Sequence, residues 1–168
     1  MLKEKITADL FQAIKGNDEI ARSTFRMLNA AILNKEKDKR FKISKTDPSL
    51  DEADLVAKSQ LTDEEIVEVI FVEIKKRQEA ALAFQAGNRP ESAAKERKEE
   101  EILRRYLPKL LTEEEITVIA KEAISKTGAK EIKDMGRVIG ALAPQVKGKA
   151  DNSLVSKVVK GLLSQKNL

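Results

Sequence analysis

Apolar residues recur three and four positions apart along most of this chain, and no segment sustains the apolar–polar alternation that marks a half-buried strand. That pattern restricts the fold to packed helices. The low aromatic content, 4%, argues the same way, because strands draw on aromatic and β-branched residues. The fold class expected is all-α.

Punctuation residues divide the pattern. Leu2, Ile6, Leu10 and Ile14 form a first stripe that stops near Gly16-Asn17, and Phe25, Leu28 and Ile32 carry a second helix from Glu19 to about Glu36. Residues 37–61 lose the periodicity. Six basic side chains lie from Lys35 to Lys45, and Pro48 forbids an unbroken helix, so a long loop is expected at 37–61, with a helical turn around 51–57. Thr62 and Glu65 make a capping box for a long helix carrying Ile66, Val69, Ile70, Ile74, Ala81 and Phe84, which Gly87-Asn88 end through positive φ.

Pro90 opens a charged helix over 91–106 that reads as a connector docked at one end, with its consecutive glutamates on a solvated face. A second capping box, Thr112 and Glu115, begins three short helices, the last capped by Asp151. The plan is an N-terminal helical domain at 1–88, a connecting helix at 89–108 and a small C-terminal three-helix domain at 109–168.

Composition excludes much chemistry. The chain has no cysteine and no histidine, so thiolate nucleophiles, disulfides, imidazole proton shuttles and imidazole metal ligands are unavailable. No phosphate-cradling glycine motif is present. We therefore expect no catalytic residue, no metal and no cofactor. The first residues lack the apolar run of a secretory signal, and no stretch approaches the roughly 20 apolar residues of a membrane span. The expectation is a cytoplasmic protein with no membrane contact.

Charge points to a partner. Of 32 basic and 28 acidic side chains, residues 130–168 hold 8 and 3, which leaves 24 and 25 for residues 1–129. The excess positive charge is C-terminal, as a phosphate-rich partner would require. Gly136 and Gly140 share a face of one helix there, although each glycine costs about 1 kcal/mol relative to alanine inside a helix. Either a neighbouring helix packs closely on them, or the bare backbone admits a bulky partner such as RNA. In the second case Arg137, Lys147, Lys149, Lys157 and Lys160, with Gly148 in the turn, would face phosphates.

Four stretches carry a family resemblance: Arg26 to Ile32; Glu73 to Ala80 with Phe84 to Gly87; Tyr106 to Leu111; and Asp134 to Arg137 through Lys147-Gly148-Lys149-Ala150-Asp151 to Leu163. In them the chain resembles the YqeY-like family, whose relatives form the C-terminal part of the B subunit of the tRNA-dependent amidotransferase. The resemblance implies a two-part helical protein whose small C-terminal domain is similar to the tail resting on the tRNA elbow. It implies a tRNA-binding or tRNA-associated accessory protein without catalysis of its own. Carbon–nitrogen ligase activity with glutamine as donor is implied only by domain resemblance and would need other subunits. The alternative reading is a protein-interaction module that docks through 37–61 or 91–106.

Overall fold

The computed structural model describes residues 1–165, and every regular element in them is helical. In chain order these are α1 (Leu2–Lys15), α2 (Glu19–Thr46), α3 (Glu52–Ser59), α4 (Asp63–Ala86), α5 (Pro90–Arg104), α6 (Glu113–Thr127), a 3-10 turn (Ile132–Asp134), α7 (Met135–Val146) and α8 (Asn152–Gln165). Among the described residues no helix is long and apolar enough to cross a membrane. The chain divides into two compact units, Met1–Leu107 and Pro108 onward.

In the first unit Ile6, Phe25, Leu28, Ile32, Ile66, Ile70 and Leu103 are buried together with Tyr106. The Phe25 and Tyr106 rings meet edge to face at 5.8 Å, and the Tyr106 hydroxyl donates to the Asp9 carboxylate. Burial, and then that hydrogen bond, push the Tyr106 phenol up. The first stripe departs from expectation at its end: Ile14 is exposed and Ala13 is buried in its place. A strict four-residue step drifts about 40° per repeat on a 3.6-residue turn, so by the third repeat Ala13 faces the core better than Ile14.

The long loop expected at 37–61 is absent. α2 continues ten residues past Glu36, and only residues 47–51 and 60–62 lie outside helices. Polar anchors hold the inner side of this extension. Glu36 is buried and accepts from the Lys3 ammonium at 2.6 Å and from the Leu61 N–H at 3.4 Å. Lys39 pairs with Glu65 at 2.8 Å and also donates to the Gln60 carbonyl, while Arg40 donates to the Ser59 hydroxyl at 3.3 Å.

The helix expected as a connector is also different in kind. α5 packs along α4 inside the first unit and buries Ala93, Glu99 and Leu103. Glu99, expected on a solvated face, is 2% exposed because the Arg77 guanidinium of α4 donates to it at 3.3 Å and to Glu73 as well. The turn between the two helices takes its positive φ at Asn88, 53°, and not at Gly87.

The second unit is a three-helix bundle. Ile116, Ala120 and Ile124 of α6, Val138 and Leu142 of α7, and Val155, Val159 and Leu163 of α8 close its core. The Thr112 capping box forms, with the Glu115 N–H donating to the Thr112 hydroxyl at 3.2 Å and the Thr112 N–H to the Glu115 carboxylate at 2.8 Å. Gly128, at φ 64°, ends α6 in the left-handed conformation that costs glycine least.

Candidate functional site

α7 turns one arc to the bundle and the other to solvent. Val138, Leu142 and Val146 are buried, whereas Gly136, Arg137, Gly140, Ala141 and Pro144 are exposed. At about 100° per residue, Gly136, Gly140 and Arg137 fall within about 100° of one another on that open arc. A Cβ built on Gly136 or on Gly140 meets nothing within 4 Å. Close helix packing, one of the two explanations for the pair, is thereby removed. Pro144, which has no N–H, also leaves the Gly140 carbonyl without its donor four residues on.

Asp134 organises the start of this arc. Its carboxylate accepts from the backbone N–H groups of Lys130 at 2.9 Å and Glu131 at 3.3 Å, and Arg137 donates to it at 3.1 Å. Those backbone hydrogen bonds, with smaller help from Arg137 and Lys133, hold the carboxyl below the usual aspartate range. The pairing uses one of the five donors on Arg137 and leaves the others for a second acceptor.

The remaining residues of the set do not gather on this arc. Lys157 and Lys160 are exposed on the outer side of α8. Lys147 and Lys149 lie in the α7–α8 turn, eleven and thirteen residues from Gly136, the first about 16 Å away along the helix axis. The Lys149 carbonyl accepts from the Leu111 N–H at 2.8 Å, which brings this turn close to the acidic first turn of α6, Glu113 to Glu115. Gly148 is buried at φ 69°, so it shapes the turn and offers no open backbone. Among the described residues Lys147, Lys149, Lys157 and Lys160 enter no ion pair.

One residue escaped the sequence reading. Gly161, beside Lys160, is a third exposed helical glycine whose added Cβ meets nothing within 4 Å. Its signal was the same one used for Gly136 and Gly140, a glycine inside a helical pattern, but it lacks a partner four residues away to draw attention to it.

The unit thus offers cationic donors and bare backbone, a combination suited to holding phosphate esters by charge-assisted hydrogen bonds. Among the described residues there is no group of three or more carboxylates that could hold a metal ion. Comparison with curated proteins finds no match. The family model of Yqey-like proteins matches residues 3–163, nearly the full length, and the chain therefore belongs to the YqeY-like family.

Proposed function

We propose that the second unit is a tRNA-binding surface and that the protein is a tRNA-associated accessory factor without catalysis of its own. The observation that carries this reading is the pair Gly136 and Gly140, exposed and free of any close neighbour, on the same arc as Arg137. A helix that accepts the cost of glycine with no packing need gains from it only when something outside comes near. The excess of basic side chains at 130–168 favours a polyanion as that visitor. The resemblance to the tail of the tRNA-dependent amidotransferase B subunit, drawn from the sequence stretches alone, favours tRNA among polyanions.

In this account the sugar–phosphate backbone lies against the open arc of α7. Arg137 supplies oriented donors, and the lysines of the α7–α8 turn and α8 supply mobile point charges. Recognition is of shape, because affinity drawn from counterion release carries no sequence information. Titrating tRNA against wild type and the triple variant Arg137→Ala, Lys147→Ala, Lys149→Ala at two salt concentrations tests it. The variant should bind more weakly, with the slope of log affinity on log salt shallower by about 2 to 3. Coincident curves would remove the reading.

A further inference from the structure

We infer that the C-terminal half of α2 is a separate contact for single-stranded RNA, in which an unpaired base stacks on Phe41 while Lys37, Lys42 and Lys45 take the neighbouring phosphates. This site lies in the first unit and does not rest on the tRNA reading of the second.

The polar anchors of this segment account for its inner arc alone. Glu36, Lys39 and Arg40 are committed to Lys3, Leu61, Glu65, Gln60 and Ser59. The outer arc has no such partners. Lys37, Phe41 and Lys45 follow one another at four-residue steps and so form a single row, with Lys42 beside it. Among the described residues Lys35, Lys37, Lys42 and Lys45 enter no ion pair. Phe41 is 60% exposed, and the Lys45 ammonium sits 4.4 Å from its ring centroid.

A lone exposed phenylalanine is ordinary, but this one separates two clefts. One, of about 330 Å³, is lined by Leu61, Lys35, Lys39 and Lys42 together with Asp38 and Glu65; the second, of about 460 Å³, by Leu55, Lys37 and Arg40 together with Glu52. A flat ring flanked by two partly apolar recesses, each with a lysine in its lining, matches a planar, uncharged base joined to an anionic backbone. Other occupants fit less well. An amphipathic helix or a membrane surface needs several apolar anchors in a row, and here the row adds only Leu33, about two turns before Phe41, to the large exposed apolar side chains among the described residues. Duplex RNA hides the faces of its bases, so the strand must be unpaired. When a base takes the ring, the Lys45 ammonium is released toward phosphate.

The test is fluorescence anisotropy of a labelled oligouridylate, about ten nucleotides long, with the full chain. Phe41→Ala should weaken binding about tenfold at unchanged helical circular dichroism, and Phe41→Trp should restore or tighten it. Lys37→Ala with Lys42→Ala should flatten the salt slope by about 1.4. In the Arg137→Ala, Lys147→Ala, Lys149→Ala background Phe41→Ala should still weaken oligonucleotide binding about tenfold, which keeps the two sites distinguishable. Binding unaffected by Phe41→Ala, or abolished by the second-unit variant alone, overturns the inference. So does a polyglutamate peptide that binds tighter than the oligonucleotide and depends on Phe41, because the partner is then an acidic protein.

Discussion

Asp134 joins local structure to the candidate surface through one carboxylate. It satisfies two backbone N–H groups ahead of α7 and fixes the direction of Arg137. Because these contacts favour its ionised form, its folded pKa lies below the ordinary value, and its stabilising contribution is present above that value and fades as pH falls through the folded one. Denaturant midpoints measured from neutrality down past about pH 4 should therefore fall more steeply for wild type than for Asp134→Asn. Parallel curves would show that the carboxylate does no more than its amide isostere. The three-residue spacing of Asp134 and Arg137 was readable in the sequence, and so was the cost of Gly136 and Gly140. What those glycines face was not, since spacing places residues on an arc without saying whether a neighbour covers it.

Elements defined by local chemistry were legible. Both threonine capping boxes form, and the helices they start begin where their side-chain bonds require. Elements held by distant partners were not. The α2 extension lacks apolar periodicity because Glu36, Lys39 and Arg40 find partners 19 to 33 residues away along the chain. α5 looked solvated for the same reason, as Glu99 meets Arg77 across 22 residues. That pair gives an element-scale prediction. Arg77 lies buried between the carboxylates of Glu73 and Glu99, with Lys76 adding a second cation to Glu73 at 2.7 Å. Arg77→Ala leaves two buried carboxylates short of their shared cation and should cost about 3–5 kcal/mol, seen as a lower urea midpoint at unchanged slope. A loss under about 1 kcal/mol would mean that water or Lys76 already neutralises them.

At the scale of the molecule, this family member has two helical units, each with its own core, and its excess positive charge lies in the second. On the proposed reading, this unit forgoes stability along α7 to keep backbone open for RNA. Replacing Gly136 and Gly140 together by alanine separates stability from binding, since neither added methyl meets a neighbour in the protein. The gain should be about 1 kcal/mol from Gly140, in the helix interior, and less from Gly136, in the first turn. Measured on the same sample, thermal unfolding and tRNA affinity should move in opposite directions: a higher melting temperature, and binding weaker by about tenfold, or about 1.4 kcal/mol. A double variant that is more stable and binds tRNA as tightly as wild type would contradict the account.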